Sequence, residues 1–114
     1  MGLCENPRRI NLLNYCTSDD VEGVLRETLA ESLDALIARC ITTGSGLVDS
    51  FLKVKGLLVP VVVPVLVNEA AAWFAAWEFR RISDPVGAEV FWSEARRLLD
   101  VYVDAEVEQY VGSA

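Results

Sequence analysis

The sequence contains no histidine, and this absence excludes catalysis by a histidine base and zinc binding by histidine. Histidine is the commonest general base near neutral pH and the commonest zinc ligand. The three cysteines, Cys4, Cys16 and Cys40, form no C-x-x-C pair and leave one over from any disulfide pairing, which is typical of a reducing compartment. We therefore expect no catalytic residue, no metal site and no cofactor, and we expect Cys40 to lie in the core.

Long hydrophobic runs are also lacking. The most apolar segment, residues 57–67, is eleven residues long and contains Pro60 and Pro64, whereas a membrane-spanning helix needs about 20 apolar residues. Neither an uninterrupted apolar stretch nor a small-residue cleavage site follows Arg8 and Arg9, so a secretory signal is not expected. The sequence predicts no membrane partner and no export.

Basic residues are few: ten Lys and Arg stand against 17 Asp and Glu, for a formal net charge of −7. This balance argues against broad contact with nucleic acid or anionic lipid, because both require clustered positive charge. The pairs Arg8-Arg9, Arg80-Arg81 and Arg96-Arg97 could touch phosphates if the fold gathered them on one surface. The simpler interpretation is that they complement helix ends and nearby carboxylates.

Apolar residues are abundant, at 53% of a chain of 114 residues. That length suits one compact domain. A domain this small buries only about two-thirds of the surface of its unfolded chain, so part of its apolar content must stay outside or be covered by partners. Self-association is the expected consequence.

The pattern of caps and stripes predicts four helices. Thr17 or Ser18 caps a short first helix that ends near Arg26. Thr28 and Glu31 form a capping box for a long second helix, which Gly56 ends. Its apolar stripe comprises Leu29, Leu33, Leu36, Ile37, Cys40, Ile41, Gly44, Val48, Phe51 and Leu52. Gly44 and Gly46 indicate either the close approach of a neighbouring helix or a local break in this one.

The two remaining helices follow a proline-bearing segment. Residues 57–64 are β-branched and contain two prolines, so they should be extended. An alanine-rich, aromatic third helix runs from Val65 to about Arg81 and is expected to be buried on most sides. Asp84 and Pro85 then start a fourth helix. Its stripe comprises Ala88, Phe91, Ala95, Leu98, Leu99, Tyr102 and Ala105.

The predicted fold is therefore all-α: a small bundle of about four helices, one short, one long and two medium. An extended N-terminal arm spans residues 1–16, the helical domain spans 17–108, and a C-terminal tail of 109–114 frays unless a partner holds it. The extended loop flanked by Pro60 and Pro64 interrupts the bundle.

Few residues suggest catalysis. Asp19, Asp20, Glu69 and Glu78 are conceivable acid–base residues, but each has an ordinary role at a helix start or on a solvated face. Gly44-Ser-Gly46 matches neither the P-loop nor the dinucleotide fingerprint. The aromatic side chains are first of all core material, and Trp92, which departs from the main stripe, is the candidate interface anchor.

The order of these elements resembles the small head–tail connector, or adaptor, proteins of tailed bacteriophages and gene-transfer particles. The resemblance covers about residues 15–105. It rests on the opening Tyr15-Cys-Thr17 with Asp20, the small residues 43–46, and the pairs Val48-Asp49 and Phe51-Leu52. The proline-bearing loop, the alanine-rich aromatic helix 70–79 and Leu98-Leu99 follow in the expected order.

This resemblance implies a non-enzymatic virion protein at the head–tail junction, assembled in the host cytoplasm. Such subunits form a homo-oligomeric ring, often of twelve, beneath the portal protein. The ring extends the DNA channel and docks a further tail-completion protein, while DNA passes through without sequence-specific binding. An acidic chain suits this role because a channel wall that attracted DNA would hinder its passage.

We expect the extended arm, the loop and the C-terminal tail to contact neighbouring subunits and the portal. The predicted interface residues are Arg8, Arg9, Val59, Pro60, Val61, Val62, Val63, Pro64, Trp92, Tyr110 and Val111. The alternative is a small helical regulatory module that binds a peptide or a DNA operator. That alternative predicts an open groove or a concentrated basic face.

Overall fold

The computed structural model describes residues 14–57, 60 and 62–113, with side chains described up to Val107. Four α-helices and no strands form this part of the chain, and 78% of the structure is helical. The predicted all-α bundle is therefore confirmed. The N-terminal arm up to residue 13 lies outside the described residues.

The first helix, α1, spans Ser18–Leu25 and begins with the predicted cap. The Thr17 hydroxyl accepts a hydrogen bond from the Asp20 backbone N–H at 3.3 Å, while the Asp20 carboxylate accepts one from the Thr17 N–H at 2.9 Å. This reciprocal capping box satisfies two backbone donors that the helix would otherwise leave free. Arg26 ends α1 in the left-handed conformation, with φ 60°.

The start of the long helix differs from the prediction. A 3₁₀ turn, Glu31–Leu33, precedes α2, which spans Asp34–Val54. Ala30 stands before this turn without a side-chain cap, so the predicted Thr28–Glu31 capping box is wrong. The backbone N–H of Leu29 instead donates to the Glu22 carboxylate of α1 at 2.9 Å. A contact from α1 therefore positions this segment, and local capping does not.

The end of α2 follows the prediction. Gly56 adopts φ +79°, its N–H donates to Lys53 at 3.0 Å, and the N–H of Leu57 donates to Leu52 at 2.9 Å. This pair of bonds forms a Schellman motif, in which glycine accepts the left-handed conformation without a Cβ penalty. Leu57, Pro60 and residues 62–64, which the structure describes between Gly56 and α3, are not helical.

The third helix, α3, spans Val65–Arg80. Its backbone packs closely against the backbone of α2 at Gly44. A Cβ placed on Gly44 would lie 2.8 Å from the Ala71 carbonyl oxygen and 2.9 Å from the Ala75 nitrogen. Gly44 therefore serves the close approach of two helices, and α2 continues through it without a break. Gly46 has no atom within 4 Å of the corresponding position.

The fourth helix, α4, spans Pro85–Ser113 and is the longest. The Asp84 carboxylate accepts the Gly87 N–H at 3.0 Å, which confirms Asp84 as the cap. The helix continues to Ser113, through the residues expected to fray. Its last buried side chain among those described is Val103, while Ala105, which the stripe predicted as buried, is exposed. The described core of α4 thus ends two residues earlier than the stripe predicted.

The core lies where α3 meets the other three helices. Its fully buried large side chains include Phe74, Leu52, Leu99, Val21 and Val48, and seven residues of α3 are buried. Cys40 is 1% exposed, as predicted. Each of these apolar side chains contributes about 1.5–3 kcal/mol when it leaves water.

One segment passes a simple test for a membrane span. By length and composition alone, Glu31–Val54 could cross a bilayer, with a mean hydropathy of 1.2. In this fold, however, its stripe from Ile37 to Leu52 packs into the core. Core helices of soluble proteins pass the same test.

Candidate interaction surfaces

The segment before α1 packs along one edge of α2 through Tyr15. Tyr15 is 2% exposed, its backbone N–H donates to the Ser45 hydroxyl at 2.9 Å, and its phenol donates to the Asp49 carboxylate. Burial raises the pKa of the Tyr15 phenol above its ordinary value, and the Asp49 carboxylate raises it further. The phenol therefore stays protonated and acts as a fixed donor.

Asn68 of α3 joins this segment to α1. Its side-chain amide donates to the Tyr15 carbonyl at 2.8 Å and to the Asp20 carboxylate at 3.1 Å. Partial burial would raise the pKa of Asp20, but the hydrogen bonds from Thr17 and Asn68 outweigh it, so the pKa lies below its ordinary value. Tyr15, Thr17, Asp20, Asp49 and Asn68 thus belong to one connected structure, which we call the N-terminal network.

Both described cysteines are buried thiols. Burial raises the pKa of Cys16 to about 12, with a further contribution from the Asp20 charge. Burial also raises the pKa of Cys40, and the nearby Glu78 adds to the effect. A thiol in this state is a poor nucleophile near neutral pH.

The carboxylates considered for catalysis lie in two places. Asp19, Asp20 and Glu69 line an acidic groove of about 540 Å³ between α1, α3 and α4, together with Glu94. The Arg97 guanidinium bonds to Glu94 and lowers the pKa of that carboxyl. Glu78 lies elsewhere and pairs with Arg81 at 2.7 Å. Within the described ranges, no group of three His, Cys, Asp or Glu side chains could hold a metal ion.

A second groove is apolar and lies between α2 and α4. It has a volume of about 370 Å³, and we call it the α2–α4 groove. Its lining consists of Leu47, Ser50, Phe51, Val54, Lys55, Phe74, Trp92 and Arg96. No sequence pattern predicted this groove as a unit, because its residues come from three helices.

Two cations stand at the rim of the α2–α4 groove. The Arg96 guanidinium carbon lies 4.7 Å from the centroid of the Phe51 ring, and the Lys55 Nζ lies 5.6 Å from the same centroid. Among the described residues, neither cation forms an ion pair with a carboxylate. The groove therefore combines an apolar floor with two cations that pair with no described carboxylate.

Trp92 holds the floor of this groove in place. The centroid of its ring lies 5.0 Å from the centroid of the Phe74 ring, in an edge-on arrangement, and 4.7 Å from that of the Trp77 ring. Trp92 is half-buried, so it is both part of the aromatic packing and accessible from the groove. The predicted anchor residue thus lies on a concave surface.

The other predicted interface residues fall in three groups. Arg8, Arg9, Val59 and Val61 lie outside the described residues. Pro60 and Pro64 are half-buried, while Val62 is 84% exposed and Val63 is 38% exposed. Tyr110 and Val111 lie in the last turns of α4, where side chains are not described. The structure does not bring the loop, Trp92 and the end of α4 into one described site.

Large apolar side chains remain at the surface elsewhere too. The exposed ones are Val54, Val62, Val63, Val65, Ile82, Val86, Val90, Val101 and Val107. Val62, Val63 and Val65 stand together before and at the start of α3, and Val86 and Val90 are one turn apart on α4. The domain thus carries apolar surface that its own core does not cover.

The described arginines at the end of α3 and in α4 contact different partners. Arg80 pairs with Glu27 at 2.8 Å, Arg81 with Glu78, and Arg97 with Glu94 at 2.5 Å, whereas Arg96 lies over Phe51. Such exposed pairs contribute little to stability. They do, however, neutralise arginine side chains that would otherwise be available to bind the phosphates of a nucleic acid.

Comparison of the chain with known protein families, characterised proteins and solved structures found no match.

Proposed function

We propose that this chain is a head–tail connector subunit of a tailed bacteriophage or a related gene-transfer particle. It forms a ring beneath the portal, extends the DNA channel and docks the next tail-completion protein. It performs no catalysis and needs no cofactor. The proposal places it in the virion, at the head–tail junction.

The observation that carries this proposal is the N-terminal network. Tyr15, Thr17, Asp20 and Asp49 are residues of the motifs on which the resemblance to connector proteins rests. Tyr15 and Asp49 lie 34 residues apart in the sequence, yet a hydrogen bond joins them, while Thr17 and Asp20 form the local cap of α1. Asn68 links the two pairs, and this joining of separate motifs into one hydrogen-bonded unit supports the proposal.

Two further observations support a role in assembly. The exposed valines and the α2–α4 groove are apolar surfaces of the kind that a ring neighbour or a portal covers. The net charge of −7 also suits a wall along which DNA must pass without adhering. Neither observation identifies the neighbouring protein.

The test is assembly with the portal protein encoded in the same genome. Purified chain, alone and mixed with portal, is imaged by negative stain and its mass is measured by light scattering. We expect rings on the portal, and a variant with Val62→Asp and Val63→Asp should lose them because it places charge on the exposed loop. Ile82→Asp, at a residue 65% exposed in the turn before α4, is the matched control. A monomer that ignores the portal would contradict the proposal.

One observation favours the alternative, a regulatory module that binds a peptide: the α2–α4 groove could accept an apolar side chain. Such a module is expected to remain a monomer and to bind its peptide without portal. The DNA-binding version draws no comparable support, because Arg80, Arg81 and Arg97 pair with three different carboxylates. A salt-dependent gel shift with DNA is expected to show no complex.

A further inference from the structure

The part of α4 that follows its last described buried side chain is strongly acidic. Beyond Val103, the side chains of Asp104, Ala105 and Val107 are exposed, and the helix continues to Ser113. From Leu98 to Ala114 the chain carries four acidic residues and no Lys or Arg. We call residues 104–113 the C-terminal overhang.

The C-terminal overhang also has an apolar register. Val107 is 45% exposed, and in the sequence Val111 follows it at the four-residue spacing of one helical turn. The overhang therefore presents apolar positions among acidic ones. This composition is complementary to the α2–α4 groove, which has an apolar floor and, at its rim, the cations Lys55 and Arg96, neither of which pairs with a described carboxylate.

We propose that the C-terminal overhang of one copy docks in the α2–α4 groove of a second copy. The inference rests on the proposed function in one respect only, since it names the contact by which ring subunits would join. Its physical basis is complementarity: acidic side chains meet Lys55 and Arg96, while Val107 covers the apolar floor.

The groove's occupant must come from another copy because α4 is one continuous helix. Arg96 lines the groove, and Glu108 stands twelve residues further along the same helix. At 1.5 Å per residue, about 18 Å of rigid helix separates them, so the overhang cannot return to its own groove. Docking is thus intermolecular.

The two surfaces differ, so the contact is heterologous. Each copy offers one groove and one overhang, and a copy that uses its overhang still has a free groove. Such head-to-tail contacts produce closed rings when the rotation between copies closes, and open filaments when it does not. A closed ring is the outcome that the connector role requires.

The test compares three variants of the full chain. Val54→Asp places a carboxylate in the groove at a residue 83% exposed, and Asp104→Lys with Glu108→Lys reverses the charge of the overhang. Val65→Asp changes a residue 73% exposed at the start of α3, outside the groove, and is the matched control. Unfolding temperatures of all three are expected to match that of the original chain.

Sedimentation and light scattering then measure self-association over a wide concentration range. The original chain and Val65→Asp are expected to exceed the monomer mass of 12.6 kDa, and the groove and overhang variants should associate at least about tenfold more weakly. A mixture of the two defective variants should recover association as far as a dimer, because one supplies an intact overhang and the other an intact groove. Recovery by mixing is specific to a heterologous contact.

Three results would overturn this inference: Val54→Asp associates like the original chain, the mixture stays monomeric, or the original chain is monomeric throughout. None of them decides the connector proposal, which depends on assembly with the portal. Rings on the portal that survive Val54→Asp would leave the connector role standing and place the subunit contact elsewhere. Absence of rings under every condition would remove the connector role itself.

Discussion

One edge of α2 is covered by the chain itself, whereas the opposite edge is open. Ser45 and Asp49 face one edge, which the entering chain covers with Tyr15 through hydrogen bonds. Leu47 and Phe51 stand two residues further along, rotated by about 200° on the helix, and line the open α2–α4 groove. Polar partners let the chain seal the first edge, whereas apolar side chains and cations leave the second available to another molecule.

Between these edges α2 and α3 approach each other closely. Gly44 admits the backbone of α3, with Ala71 and Ala75 directly opposite it. On the groove side, Phe74 and Trp92 are large and meet ring to ring at 5.0 Å. Small residues thus bring α2 and α3 together, and bulky ones on α3 and α4 form the floor of a concave surface. The size of side chains at the helix contacts decides where this molecule is closed and where it is open.

The largest effect is expected at the closed contact. Gly44→Ala places a Cβ within 2.8 Å of backbone atoms of α3 that cannot rotate away. We expect a loss of about 1–3 kcal/mol in the free energy of unfolding, measured in urea. Gly46→Ala, where no atom lies within 4 Å, is the control and should gain about 0.5–1 kcal/mol. If the two variants are equally stable, α2 and α3 can move apart at no cost in free energy, which would contradict the prediction.

A smaller effect is expected at the sealed edge. Tyr15→Phe removes the phenol that donates to Asp49 but keeps the buried ring. We expect a loss of about 1 kcal/mol in the free energy of unfolding, since one part-buried hydrogen bond is lost. The double variant with Asp49→Asn should lose less than the sum of the single changes. Strict additivity would mean that the two side chains do not interact.

The smallest effect is a pH dependence from Asp20. The pKa of this carboxyl is lowered in the folded chain, so its stabilisation is present above the unfolded value near 3.8 and disappears as the pH falls through the folded value. Asp20→Asn should therefore reduce the urea midpoint at about pH 7 and have less effect at about pH 3. A difference that grows on acidification would contradict the assigned hydrogen bonds.

Local signals predicted the helices well where the chain supplies its own ends. Thr17 with Asp20, Asp84 with Pro85, and Gly56 each satisfy backbone groups within a few residues, and the structure confirms all three. Thr28 and Glu31 have the same pattern but form no cap. There Glu22, seven residues before Leu29, accepts the N–H of Leu29, and such a contact depends on how α1 packs.

The candidate surfaces were predicted only in part. Trp92 was identified because it departs from the apolar stripe of its helix, and the structure places it in the α2–α4 groove. Lys55 and Arg96, 41 positions apart in the sequence, could not be assigned to one rim because nothing local indicates that both lie over the Phe51 ring. The overhang was also not foreseen, since the stripe of α4 predicted burial as far as Ala105.

The sequence by itself determined that this chain is helical, where most helices begin and end, and that it holds more apolar surface than a small core can cover. Those properties depend on neighbours within a few residues and on composition. Only the tertiary structure decided that Gly44 serves close packing, that Tyr15 seals one edge of α2, and that the other edge stays open. Each of these outcomes depends on atoms of helices distant in sequence, whose approach is set by the sizes of side chains at their contacts.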